Sequence, residues 1–230
     1  MNSDLKIVSG HQPVYLPWLG LFHKLYLSDI FVYMDTVQYL TNDWNNRNKI
    51  KTSQNSLMLT VPIDKKKSKS SNLNDIRIFS ENKKSRDFWQ TKHWESIKIN
   101  YSKAPFFNLF KNDLEFMYME KKWNLLVDLC WYQFNYFRKI LGLGEKKIIR
   151  MTETTFSGQK DDLVLDHCKK LNCNAVVFGE MGKNYVDIEK FNKNKILVYY
   201  QKYIHPIYSQ LYTKNGFISN LSVIDLILNE

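Results

Sequence analysis

The residues best suited to chemistry open the chain. His11 lies in Gly10-His11-Gln12-Pro13, just after a short apolar run. An imidazole there can move a proton near neutral pH, or donate a hydrogen bond to a phosphate or an oxyanion. Gln12, Pro13 and Tyr15 hold it in a constrained loop, which Pro17 stiffens beside Trp18. Asp35 follows the next apolar run and can orient an amine or a hydroxyl or act as base, so His11 and Asp35 are the candidate catalytic residues. Gln38 and Tyr39 come next, then Trp44, Asn46, Arg47 and Lys51. Arg47 offers a planar fork that matches phosphate or carboxylate, and Asn46 both donates and accepts. Gly179, Glu180, Gly182 and Tyr185 form a third polar cluster, and His205-Pro206-Ile207-Tyr208-Ser209-Gln210 a second constrained polar and aromatic loop. Each has a plainer alternative: a structural histidine, an aspartate capping a turn, an arginine in a surface ion pair. His23 reads as a helix-surface residue, and His93 and His167 have no partner at metal-ligand spacing.

Ligands of open parallel sheets bind beyond the carboxyl ends of strands, and the first three clusters fall at such ends. Residues 5–9 read as a strand. Residues 19–28 read as a helix, with Leu21, Phe22, Leu25 and Tyr26 at helical spacing, and 30–34 as a strand buried on both faces. Residues 57–63 and 76–79 read as further strands. The middle is helical over 84–100, 105–119 and 124–141, with Gly142 and Gly144 as a stop. Strand and helix then alternate: strands over 147–151, 175–179 and 196–199, and a helix over 160–171. This order predicts an α/β fold, a mostly parallel sheet flanked by helices with a helical insertion in mid-chain. The expected organisation is a single α/β domain over 1–230, with a helical subdomain within it over 81–144.

Composition narrows the partners. With 44% hydrophobic and 15% aromatic residues, the chain of 230 can bury a core and is not disordered. Its formal charge of +10 favours anionic partners: nucleotide phosphates, an acidic carrier protein, RNA or an anionic membrane surface. Much of the excess sits in Lys65, Lys66, Lys67 and Lys69, in a polar stretch expected to be a mobile loop, either a lid or simply solvated surface. Cys130, Cys168 and Cys173 form no CxxC pair and read as reduced thiols. No secretory leader and no apolar run of about 20 residues is visible, so a cytoplasmic protein is expected. Metal motifs, a phosphate-loop motif, a dinucleotide fingerprint and a nucleophile elbow are absent, so no bound metal or tight cofactor is expected.

Several runs together resemble the WbqC-like protein family. The opening H-Q-P-x-Y-x-P-W-x-G from His11 to Gly20 looks like its first motif, continued by Lys24, Asp29 and the D-x-x-Q-Y of Asp35 to Tyr39. The W-x-N-R-N-x-I-K from Trp44 to Lys51 and Y-x-K-A-P from Tyr101 to Pro105 are similar too. So are Gly179 to Tyr185, the YIHPIYSQ ending at Gln210 and the LSVIDL of residues 221–226. Glu180 departs from the pattern, standing where a small residue is expected. The resemblance implies bacterial O-antigen or related surface-polysaccharide (lipopolysaccharide) biosynthesis. It also implies an N-acyl- or aminoacyl(glycyl)-transferase acting on a nucleotide-linked amino sugar, with CoA, an acidic acyl carrier protein or aminoacyl-tRNA as activated donor. In that reading Arg47 and Lys51 hold the pyrophosphate, and Gln12 or Asn46 steadies the oxyanion. Two alternatives stand beside it: a non-catalytic carrier- or enzyme-binding protein of the same pathway, and an ATP-dependent carboxylate-adenylating enzyme. The latter rests on a fainter likeness to nucleotidyltransferase-type domains such as pantothenate synthetase, whose HxGH element this chain lacks.

Overall fold

The computed structural model describes residues 5–64, 68, 71–79 and 88–230. Lys65, Lys66, Lys67 and Lys69, and the start of the helix expected from residue 84, lie outside them. The described strands are β1 (Ile7–His11), β2 (Ile30–Tyr33), β3 (Arg47–Lys51), β4 (Ser56–Thr60), β5 (Lys147–Arg150), β6 (Ala175–Phe178) and β7 (Leu197–Tyr200). The α-helices are α1 (Leu19–Tyr26), α2 (Trp89–Tyr101), α3 (Phe107–Glu115), α4 (Leu126–Ile140), α5 (Lys160–Lys170), α6 (Ile188–Lys193) and α7 (Val223–Asn229).

The chain divides into two compact units, the first made of the residues up to Pro13, Gly20–Val37 and Arg138–Ile204. It holds a five-stranded sheet in the order β5-β2-β1-β6-β7, with every pairing parallel. The strands IFVY and AVVF are buried at every position, as unbroken β-branched and aromatic runs should be when helices cover both faces. Val8, Ile30, Val32, Val176, Phe178 and Phe191 centre the core. β1 is flanked by β2 on one side and β6 on the other, so the strand order reverses between β1 and β6. Such a switch point opens a crevice at the carboxyl edge of a doubly wound sheet. The α/β fold read from the sequence is therefore the fold observed.

The second unit comprises the described parts of Val14–Leu19, Gln38–Phe137 and His205–Glu230. It combines an antiparallel β3–β4 hairpin, register Arg47↔Thr60 to Lys51↔Ser56, with α2, α3, most of α4 and α7. Leu126, Leu129, Cys130, Phe134 and Phe137 are the buried stripe of α4 that the helical spacing predicts. The helix stops at Gly142, whose φ of 72° suits glycine, where Leu143 N–H bonds Arg138 O at 2.8 Å. Three features depart from expectation. β3 takes residues for which no element was expected, 76–79 forms isolated bridges rather than a strand, and the second unit extends well beyond 81–144.

Candidate functional site

In the first unit, His11 ends β1, and its Nδ1 lies 2.8 Å from the Gln12 carbonyl oxygen. A carbonyl only accepts, so Nδ1 carries the hydrogen and Nε2 of the neutral ring holds the lone pair. Gly10 lets the strand close up here: an added Cβ would stand 3.0 Å from Val32 O and 3.2 Å from Met34 Sδ. The Lys24 ammonium donates to Gly10 O at 2.7 Å, and Ser9 Oγ donates to Lys24 O at 3.2 Å, tying α1 to the end of β1. Lys24 is buried, which pushes its pKa down to about 8.

Asp35, expected as base or orienting group, has another task. Its fully buried carboxylate accepts from Arg150 Nε at 2.8 Å, Thr152 N–H at 2.9 Å and Thr152 Oγ1 at 2.9 Å. With both oxygens so occupied, it joins the chain after β2 to the end of β5.

Beyond β6, Gly179 leads into the turn Glu180–Asn184. A Cβ on Gly182 would meet Phe178 Cβ at 2.7 Å, so only glycine lets the turn sit this close to the strand. Glu180 pairs with Lys183 at 3.4 Å in solvent, while the exposed Tyr185 sets its ring edge-on to Phe178 at 6.4 Å. No sequence motif points to Gln201, the first residue after β7. Its N–H bonds Phe178 O at 2.8 Å, and its amide nitrogen donates to Gly20 O at 2.7 Å and His23 Nδ1 at 2.9 Å. The His23 ring lies 5.4 Å from that of Tyr203. His11, Gln12, Lys24, Gly179 and Tyr185 thus fall along the carboxyl edge of one sheet, with His23, Gln201 and Tyr203 added to them.

The remaining site candidates belong to the second unit, where most are enclosed by their own partners. The Lys51 ammonium donates to Gln210 Oε1 at 3.0 Å and Gly216 O at 2.7 Å, and Lys51 N–H donates to Tyr101 Oη at 2.8 Å. Asp225 accepts from Tyr101 Oη at 2.7 Å, Tyr208 Oη at 2.7 Å and Gln210 Nε2 at 2.6 Å. Burial holds the Lys51 pKa down and the Asp225 pKa up. Lys51 and Gln210 therefore complete a buried polar network instead of facing a pyrophosphate. Tyr101 and Asp225, its other members, come from motifs that carried the family likeness but no expected role.

Tyr15 is buried too, its hydroxyl 2.7 Å from His93 Nδ1 and 2.6 Å from Tyr118 Oη. Burial lowers His93 to about 3, so that ring stays neutral. Asn46 accepts from Tyr39 Oη at 3.2 Å and donates to Val61 O at 2.8 Å, tying those two residues together. Arg47 donates to the carbonyls of Asp43 and Asn42 and lies 6.0 Å from the Trp44 ring, so it braces its own turn. Gln38 bridges to Asn72, and Trp18 to Ser222. His205 sits by Tyr208 and Phe217, at ring distances of 5.9 Å and 5.8 Å. Among the described residues no group of three His, Cys, Asp or Glu could hold a metal, and no helix is long and apolar enough to cross a membrane.

Sheet order and edge residues define an α/β protein of the doubly wound class, with its polar edge at the β1/β6 switch point. The chain belongs to the WbqC-like protein family, whose model matches residues 12–230. It is 28% identical over 226 residues to the "Uncharacterized protein Rv1507c" of Mycobacterium tuberculosis (strain ATCC 25618 / H37Rv), covering 98% of this chain and 94% of that protein. No solved structure matches the chain.

Proposed function

We propose that the protein transfers an acyl or aminoacyl group to the amine of a nucleotide-linked amino sugar bound at the carboxyl edge of its parallel sheet, a step suited to O-antigen or related surface-glycan synthesis. The observation that supports this reading is His11, at the end of β1 beside the switch point, with Nδ1 hydrogen-bonded to the Gln12 carbonyl, which in a neutral ring leaves the lone pair on Nε2. An ammonium group is not nucleophilic, so the sugar amine must first lose a proton, and His11 Nε2 is the acceptor. The amine nitrogen then bonds the acyl carbon, and the carbon–sulfur bond of a thioester, or the carbon–oxygen bond of an aminoacyl ester, breaks. The proton on His11 passes to the departing thiolate or alkoxide, and the new amide nitrogen, left with one hydrogen too many by the attack, releases that proton to water. The Gln12 side-chain amide is assigned to the oxyanion. The positive net charge favours an acidic carrier protein, CoA or an aminoacyl-tRNA as donor.

Thermal-shift titrations of wild type and His11→Ala with UDP-glucosamine, UDP-glucose, CoA and ATP test this. Stabilisation by the amino sugar above the UDP-glucose control, with no acyl product from His11→Ala, is expected. Absence of any response to UDP-glucosamine at millimolar concentration defeats the reading. A second reading, ATP-dependent adenylation of a carboxylate, draws on the same switch point, because doubly wound sheets hold nucleotides there. Stabilisation by ATP alone, with pyrophosphate release, selects it. An intact glycan in cells carrying His11→Ala selects the non-catalytic carrier-binding protein.

A further inference from the structure

The geometry points to His23 as a second ligand-contacting histidine of the same edge, a neutral hydrogen-bond donor to a hydroxyl or carbonyl oxygen of the bound sugar. This rests on the reading above of the β1/β6 edge as the substrate site, and deepens it. Gln201 dictates the tautomer. The amide nitrogen of Gln201 carries two hydrogens; one goes to Gly20 O at 2.7 Å and the other to His23 Nδ1 at 2.9 Å. An atom that receives a hydrogen bond is unprotonated, so the ring hydrogen of neutral His23 is on Nε2. That is the opposite of His11, whose Nδ1 donates to Gln12 O. The two imidazoles therefore present opposite characters: His11 Nε2 accepts and His23 Nε2 donates.

Three further features support a donor aimed at a ligand. His23 is part-exposed, and its Nε2 has no hydrogen-bond partner among the described residues. Its ring meets the Gln201 amide and the Tyr203 ring, both uncharged, and burial lowers its pKa. The Gln201 backbone is fixed in turn, donating to Phe178 O at 2.8 Å where β6 ends. A neutral N–H positioned this way suits an uncharged oxygen, whereas phosphates are better served by the fixed charges of Arg and Lys. Gln201 is then a positioning residue, acting through the tautomer it imposes.

The test is a long-range proton–nitrogen NMR spectrum of the full chain, first free and then with UDP-glucosamine, together with the affinities of His23→Ala and His23→Gln. The expected free-protein pattern is Nδ1 unprotonated and Nε2 bearing hydrogen, and Gln201→Leu should dissolve that preference. Ligand should shift the His23 Nε2–H signal. His23→Ala should bind about five- to tenfold more weakly, the worth of one neutral hydrogen bond, and His23→Gln should recover most of the loss by restoring a donor. A free protein with hydrogen on Nδ1, or with an imidazolium at neutral pH, overturns the inference. So does a wild type that responds to the sugar while the His23 signal stays still, and in that case the transferase reading survives. A wild type with no response to UDP-glucosamine removes both.

Discussion

At the scale of single residues, two buried charges make opposite predictions. Lys24 is held protonated at a cost, because its folded pKa of about 8 lies below the usual 10.5. The unfolded chain binds the extra proton between those values, so stability rises with pH across that window; the penalty is fully present below about 8. Relative to Lys24→Met, the wild type should gain about 2 kcal/mol between roughly pH 7.5 and 10 in urea unfolding, given that each tenfold loss of proton affinity is worth about 1.36 kcal/mol. A flat difference curve would show that the amine is better hydrated than its burial suggests. Asp35 is the reverse case, a buried carboxylate with its partners in place. Asp35→Ala removes the acceptor of Arg150 Nε and of both Thr152 donors, and should cost about 3 kcal/mol, near the lower end for a broken buried pair because Arg150 is one-fifth exposed. A loss below about 1 kcal/mol in the same assay would contradict the clamp, since that is the range of surface pairs.

Elements explain where the two glycines after β6 differ. Gly179 has no atom within 4 Å of an added Cβ, whereas Gly182 would drive one to 2.7 Å from Phe178. Gly179→Ala should change stability by less than about 0.5 kcal/mol, the range of an ordinary surface change, and Gly182→Ala should cost about 1–3 kcal/mol by overpacking. Equal melting temperatures for the two variants would refute the close approach of the turn to the strand. In the second unit the loop before α1 is fixed by two side-chain amides. Leu16 has φ of +45°; its N–H donates to Gln133 Oε1 at 2.8 Å, and its carbonyl accepts from Asn48 Nδ2 at 2.6 Å. Gln133→Leu leaves that buried N–H unmade and should cost about 2 kcal/mol, measured by denaturant unfolding. These elements also show what is legible in a sequence. β2, β6 and α4 announce themselves because burial demands apolar residues at a fixed period. β3 does not: Arg-Asn-Lys-Ile-Lys is mostly polar, and its buried Asn48 and Lys51 are satisfied by partners far away in sequence. His23 gives no local signal for the same reason, its partner Gln201 lying 178 residues on. The switch-point loop at His11 is legible because proline and a strand end fix it locally. The fate of Lys51 is not, because a lysine's charge says nothing of whether a tyrosine–aspartate network awaits it.

For the whole molecule, sequence separation sets the order of folding within each unit. The β3–β4 hairpin joins neighbours in sequence, whereas Lys6 N–H meets the Asn174 side chain across 168 residues where β1 and β6 come together. Closing distant pairs is slow. Pulse-labelled hydrogen exchange during refolding should protect the β3 and β4 amides before those of β1 and β6, and simultaneous protection would refute that order. The same separation matters during synthesis. β1 occupies the middle of its sheet, yet the strand that covers one of its sides is made last but one. At about 5–20 residues per second, translation of the intervening chain takes roughly 10–30 s. Throughout that interval β1 waits with one edge unpaired, a template for pairing with a neighbouring nascent chain. The yield of protein in a cell is thus tied to how fast, and how well shielded by chaperones, the last third of the message is read.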